Sequence, residues 1–329
     1  MADAGNHDGS GRAVAGRRHP LDIFLQQLIN GLVLGSVYAL VALGYTMVYG
    51  ILELINFAHG EVTMIGAMVA LAVIGALVGS GVDLPGAVIV LAGVLVAIPA
   101  CMALGYAIER IAYRPLLNAP RLAPLITAIG VSIVLQNAAM LIWGKEYVSF
   151  PPILPVARHE IGGATITDLQ IFIVLLSCVL MVGLVVLVHK TKLGRAMRAT
   201  AQSPQVAGLM GVNINTIISI TFVLGSALAA VAGVMVSAYY GLAHYYMGFL
   251  LGLKAFSAAV LGGIGNLAGA VLGGLLLGVI ESLGAGYIGD LTGGFLGSHY
   301  QDVFAFFVLI LVLVFRPSGL LGERVVERA

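Results

Sequence analysis

Charge is what this 329-residue chain has least of. Only 9% of its residues are Asp, Glu, Lys or Arg, against about 25% in ordinary soluble domains. A soluble fold of this length needs far more polar surface, so a water-soluble enzyme or binding module is excluded. The net charge of +1 leaves no basic patch for a nucleic-acid partner. There are two cysteines, Cys101 and Cys178, each inside an apolar run. They form neither a disulfide framework nor a zinc motif, and packing accounts for both. No G-x-x-x-x-G-K-[ST] occurs, so the chain has no P-loop for ATP. No Ser/His/Asp set is arranged for catalysis. His59-Gly60-Glu61 spells the H-x-E of zinc deaminases, but the P-C-x-x-C that completes that metal site is absent. Neither a metal nor a cofactor is expected.

What the chain does have is apolar residues, at 60%, and 44 glycines. Small residues at that level suit membrane helices, which associate by close backbone approach. The sequence predicts an all-α integral membrane protein, a polytopic helical bundle. A span needs about 20 apolar residues. Eight stretches qualify: 23–45, 61–79, 86–109, 122–143, 168–189, 214–239, 265–287 and 301–316. Residues 1–21 read as a disordered cytoplasmic tail rather than a signal peptide, because the apolar stretch after Asp22 outruns an h-region and has no cleavage site. Residues 22–322 form the membrane domain, and 323–329 a second cytoplasmic tail.

The basic residues test the topology. Thirteen of the 16 Lys and Arg fall in four clusters: Arg12, Arg17 and Arg18; Arg110, Arg114 and Arg121; Lys190, Lys192, Arg195 and Arg198; and Arg316, Arg324 and Arg328. Eight simple crossings cannot put all four on one side. Two further crossings, at 46–60 and 245–263, remove the conflict. Both are rich in glycine and polar residues and read as broken helices of the kind that line substrate sites in transporters. Both termini then lie inside and loop 144–167 outside. Gly35-Ser36 followed by Tyr49-Gly50 resembles Gly225-Ser226 followed by Tyr240-Gly241, as a weak internal repeat.

Three stretches carry chemistry. In 45–61, the polar Glu53, Asn56, His59 and Glu61 sit in apolar sequence, where ionisable residues face the bundle interior or a cavity. Asn56 and His59 either satisfy backbone freed at a helix break or contact a solute. In 254–270, Gly263-Ile-Gly265-Asn-Leu-Ala268 matches a dinucleotide fingerprint without its βαβ context. A Gly-rich break followed by a packing stripe, Gly265, Gly269 and Gly273, fits better. In 193–212, Ser203 and Pro204 start a short helix over 204–210 that ends at Gly211. Its apolar surface either lies on lipid headgroups or docks a cytosolic partner.

Together these stretches resemble the LivH family, the inner-membrane permeases of branched-chain amino acid ABC importers. The resemblance rests on Gly44-Tyr-Thr-Met-Val-Tyr-Gly50, Ile55-Asn-Phe-Ala-His-Gly-Glu61, Ile108-Glu-Arg-Ile-Ala-Tyr-Arg-Pro115, Gly194-Arg-Ala-Met-Arg198, Lys254-Ala-Phe-Ser-Ala-Ala-Val-Leu-Gly-Gly-Ile-Gly265 and Pro317-Ser-Gly-Leu-Leu-Gly322. It covers residues 22–322 and implies a bacterial inner-membrane importer of five parts. Its other members are a homologous second permease (LivM-like), two cytoplasmic ATPases (LivG- and LivF-like) and a periplasmic binding protein. Carried over, Asn56, His59, Glu61, Gly262, Gly263 and Gly265 lie near the translocation path. Gly194, Arg195, Arg198, Ser203, Pro204, Ala207, Gly208 and Gly211 form the loop facing an ATPase. Permeases for urea or short amides share much of the pattern. A channel, or an ion-coupled secondary transporter using Glu53, Glu61 and Glu281, are the readings from other classes.

Overall fold

The structure is a computed structural model. It describes residues 20–322 except 82, 118, 121, 155–156 and 292–299, so the two tails, with Arg121, Arg324 and Arg328, lie outside the described residues.

The chain is a bundle of helices: α1 (Pro20–Leu52), α2 (His59–Gly79), α3 (Gly86–Ile108), α4 (Leu122–Trp143), α5 (Asp168–Lys190), α6 (Lys192–Gln202), α7 (Pro204–Leu209), α8 (Ile214–Tyr240), α9 (Met247–Gly262), α10 (Leu267–Leu291) and α11 (Gln301–Phe315). Seven of them are long and apolar enough to cross a membrane, while α9 and α11 are shorter. Four short strands make two antiparallel pairs: β1 (Val148–Ser149) with β4 (Leu242–Ala243), and β2 (Arg158–Ile161) with β3 (Ala164–Thr167).

Local signals set the helix ends. Thr167 and Gln170 form a capping box at the start of α5. Ser203 accepts the Val206 N–H ahead of α7, and Asn213 accepts that of Thr216 ahead of α8. At its other end α8 stops at Gly241, whose φ of 73° suits glycine. After α3 a π-helical turn, Glu109–Tyr113, widens the helix.

Packing follows the glycines. α1 runs antiparallel to α10, with Gly31 on Val279, Gly35 on Leu275 and Gly278, and Ala39 on Gly274. A Cβ at Gly31 or Gly35 would come within 2.6 or 2.8 Å of α10 backbone. Close backbone approach is how apolar helices gain contact in lipid, where no hydrophobic force separates them from the solvent. The stretch Val33–Leu43 of α1 is the centre of the core. α3, α4 and α5 are mostly exposed along apolar faces, as lipid-facing helices are.

Two ends of the bundle can be told apart. At one end, the Gln26 side chain donates to the Thr165 carbonyl (3.0 Å) and accepts from its N–H (2.8 Å), Gln170 donates to Asn30, and Ser282 donates to Gln27. The start of α1 therefore lies beside the 158–167 hairpin. At the other end Tyr49, Glu53, His189, Arg198, Asn266 and Arg316 surround one cavity, and Arg114 donates to the Asn215 carbonyl.

This arrangement corrects the expected topology in three ways. First, 46–60 is no extra crossing. Residues 46–52 continue α1, and only 53–58 are non-helical. Second, 245–263 holds one continuous helix, α9, with the break after it at 263–266. Third, α1 starts at the same end as loop 144–167 rather than at the opposite one. With one crossing removed, Arg110 and Arg114, Lys190 to Arg198, and Arg316 still share an end, opposite the hairpin. The expected repeat also fails, because Tyr49-Gly50 lies inside α1 while Tyr240-Gly241 ends α8. Glycine and polar residues suggested breaks at 46–60, but Gly44 is occupied by packing and Thr46 is buried. In a tightly packed bundle, small residues continue a helix as readily as they end it.

Candidate functional site

The segment 53–61 reverses the chain. α1 ends at Glu53, the one described non-glycine residue with positive φ, at 54°. The Asn56 carbonyl then accepts the His59 N–H at 3.0 Å, and α2 begins. The turn brings His59 back level with Gly44 in α1.

Of the four polar side chains of this segment, Glu53 is exposed and lines the cavity, and the other three diverge. Asn56 is buried, and its Oδ1 accepts from the Tyr113 hydroxyl at 3.0 Å, tying the turn to the π segment. His59 is buried between α1 and α8. Its ring fills the space left by the missing Cβ of Gly44, touches the Gly225 position of α8, and meets Tyr45 edge-on at 4.9 Å. Its Nε2 has no hydrogen-bond partner among the described residues. Glu61 points to α4. Its Oε1 accepts from Ser132 (3.0 Å) and Gln136 (2.7 Å), and its Oε2 has no hydrogen-bond partner among the described residues. These are inter-helix contacts around the start of α2, and none of the three residues lines a described cavity.

The predicted glycines behave similarly. Gly262 packs on Gly269, and Gly273 on Ala258 and Gly262, closing the α9–α10 hairpin. Gly263, at φ 108°, lies against Leu321 and Gly322 of the C-terminal turn. Gly265 precedes α10, so the expected stripe on that helix is Gly269 and Gly273 without it. It alone of the predicted path residues lines the cavity at the α7 end, which measures about 1380 Å³.

The predicted coupling loop is a compact unit. Thr191 caps the Gly194 N–H, and Gly194 lies under the Val188 carbonyl, where a side chain has no room. Arg195 follows on the exposed side of α6, and Arg198 lines the cavity. Ser203 and Pro204 start α7, and Gly211 ends the turn at φ 87°. Gly208 meets the Ile214 side chain at the base of α8. Ala207 faces inward, 3% exposed, whereas Leu209 and Met210 are 88% and 80% exposed. The surface that α7 offers is therefore Val206, Leu209 and Met210.

Two polar clusters escaped the sequence reading. In the first, Arg114 pairs with the buried Glu109 (2.9 Å) while Ser219 donates to the same carboxylate (2.8 Å). In the second, the Lys254 ammonium of α9 bridges Glu281 of α10 (2.7 Å) and Asp302 of α11 (2.8 Å). Lys254 and Glu281 each stood out as charges in apolar sequence. Nothing in a single sequence shows that they pair.

Geometry and composition define a polytopic helical membrane protein with buried polar contacts between its helices and an exposed apolar helix at one end. The permease component of branched-chain amino acid transport systems matches it over residues 27–313, and the chain belongs to that family. It is 49% identical to the high-affinity branched-chain amino acid transport permease BraD of Pseudomonas aeruginosa, over 93% of this chain and 98% of that one. It is 47% identical to LivH of Escherichia coli, over 93% and 97%. It is 29% identical to a probable LivH permease of Methanocaldococcus jannaschii, over 92% and 94%. No solved structure matches the chain.

Proposed function

We propose that the chain is the permease subunit of an ATP-binding-cassette importer that moves leucine, isoleucine and valine across a bacterial inner membrane. The observation that carries this reading is near-complete coverage at close to half identity with two permeases of that transport class. Partner subunits supply the ATP hydrolysis: two cytoplasmic ATPases, a homologous second permease, and a periplasmic binding protein that delivers the solute.

The α7 end is the cytoplasmic one. It gathers Arg110, Arg114, Lys190, Lys192, Arg195, Arg198 and Arg316, as the positive-inside rule requires, and it presents the exposed Leu209 and Met210. An apolar helix end this open needs cover, and an ATPase groove provides it. The hairpin end and Pro20 then face the periplasm. On this reading loop 144–167 and the start of α1 lie on the same, periplasmic side.

The test is reconstitution of the permease with a second permease, the ATPases and a binding protein. Labelled leucine should accumulate in proteoliposomes only with ATP, and collapsing ion gradients at constant ATP should leave uptake intact. Uptake without ATP would establish a channel, and loss on gradient collapse a secondary transporter. ATP-driven uptake of urea or acetamide in place of leucine would reassign the substrate.

A further inference from the structure

A charged cluster sits where none of the expected site residues does. Lys254 lies halfway along α9, Glu281 within α10, and Tyr38 near the middle of α1. The Tyr38 hydroxyl donates to Glu281 Oε1 at 3.3 Å, and the Lys254 ammonium stands 5.8 Å over the Tyr38 ring. Tyr38 is near the middle of α1, but Ser282, next to Glu281, donates to Gln27, and Asp302 is in the first turn of α11, so the cluster lies between mid-bundle and the hairpin end.

Two features separate it from a closed structural ion pair. The first is charge. One ammonium faces two carboxylates, and Glu281 Oε2, fully buried, has no hydrogen-bond partner among the described residues. The second is exposure. Glu281 is 1% exposed, but Lys254 is 14% and Asp302 is 36% exposed. Asp302 Oδ1, the atom that meets Lys254, is buried, so the exposure belongs to the rest of that side chain; a partly open carboxylate within a membrane faces a partner or water. The lipid-facing side of α11 is elsewhere. Val303, Phe307, Ile310 and Val314 recur at helical spacing and are all exposed, and Asp302 is off that stripe. On α9, Leu250 lies one turn before Lys254, on the same face, and is exposed.

We propose that the open edge of the Lys254–Glu281–Asp302 triad lines the aqueous translocation path beside a second permease subunit and receives the charged head of a zwitterionic α-amino acid. The inference rests on the transport reading above and moves the solute contact from 56–61 to the α9–α11 face. The chemistry matches in both signs. The surplus carboxylate attracts an α-ammonium group. Lys254, shared between two acids, can turn toward an α-carboxylate without leaving either acid far from a cation. A passing solute thus exchanges ion partners rather than stripping them.

The experiment uses the assembled complex in proteoliposomes with single cysteines in a cysteine-free background. Three positions serve: Asp302→Cys, Leu250→Cys as a reporter that leaves the triad intact, and Phe307→Cys on the lipid stripe. The probes are a membrane-impermeant cationic thiosulfonate and a hydrophobic pyrene maleimide. Asp302→Cys and Leu250→Cys should react with the aqueous reagent, and leucine-loaded binding protein with ATP should change their rates at least threefold. Phe307→Cys should react with the pyrene reagent alone. Should Asp302→Cys fail to assemble, Leu250→Cys carries the test. Aqueous labelling absent from Leu250→Cys in an assembled complex, or insensitive to leucine, overturns the proposal. ATP-driven leucine uptake by the parent complex is measured in the same vesicles, so failure of the path assignment is distinguishable from failure of the transport reading.

Discussion

Gly44→Ala adds a single methyl group, and the structure says where it would go. A Cβ on Gly44 would fall on the His59 ring, against Nε2 and Cε1. The ring has little room to retreat: toward α8 there is only the space of the missing Gly225 Cβ, which would stand 3.5 Å from Cε1, and Tyr45 lies edge-on at 4.9 Å on another side. Overfilling a packed site costs about 1–3 kcal/mol. Alanine recovers up to about 1 kcal/mol of that through its higher helix propensity. A net loss of about 1–2 kcal/mol is expected. His59→Ala in the same chain removes the obstruction, so the double variant should be more stable than the sum of the single changes, with a coupling energy of about 0.5–3 kcal/mol as for residues in direct contact. The assay is loss of monodisperse permease on heating in detergent, read by size-exclusion chromatography for the parent, both single variants and the double variant. Strict additivity would refute the idea that Gly44 is glycine because of His59.

Arg114→Ala leaves Glu109 buried without its cation, which costs about 3–5 kcal/mol. Glu109→Gln should cost less, and the same melting assay ranks them. Asn56→Leu deprives the buried Tyr113 hydroxyl of its acceptor at about 1–3 kcal/mol. The yield of folded permease should fall with it, whereas normal yield with abolished uptake would restore Asn56 to the path. Leu209→Asp should insert normally yet lose co-purifying ATPases and ATP-driven uptake; stoichiometric ATPases on that variant would exclude α7 as their dock. Leu21→Cys should label from the same side of the membrane as Glu160→Cys and from the opposite side to Gln205→Cys. Labelling of Leu21→Cys from the Gln205→Cys side would contradict the shared end of α1 and the hairpin.

Helices were legible because their signals are local. Thr167 with Gln170, Ser203 with Pro204, and Gly241 after Tyr240 each set an end within a few residues. Hydropathy located six of the expected spans closely, but α1 runs on to Leu52 and α11 is shorter than a span. The direction of α1 was not legible, since the basic residues before it argued one way and the Gln26–Thr165 pairing, 139 positions apart in sequence, decides the other. Glycine was ambiguous for a physical reason. At Gly31 and Gly35 it admits a neighbouring helix, at Gly263 and Gly265 it allows a turn, and at Gly44 it admits a side chain. Composition reads all three alike. Of the polar residues of 53–61, Glu53 is exposed and lines the cavity, while Asn56, His59 and Glu61 are buried between helices. Their partners, Tyr113, Ser132 and Gln136, come from helices that no local pattern links to them.

The divergence of Asn56, His59 and Glu61 itself says what the 55–61 motif does. Each reaches a different element from one turn of chain: Asn56 the π segment after α3, His59 the cleft between α1 and α8, Glu61 the otherwise exposed α4. A solute site needs side chains that converge on a common space. A joint needs side chains that spread, because it must fix the angles of several helices at once. The motif has the second geometry. α2 in turn lies against the start of α9, where Gly60 meets Gly248 and Gly252 and leaves no room for a side chain on either. Lys254 follows Gly252 on α9 by two residues. The joint and the α9 segment that carries Lys254 are therefore packed backbone on backbone at Gly60, Gly248 and Gly252. The motif thus reads like a binding site in sequence, while its buried polar atoms make contacts between helices.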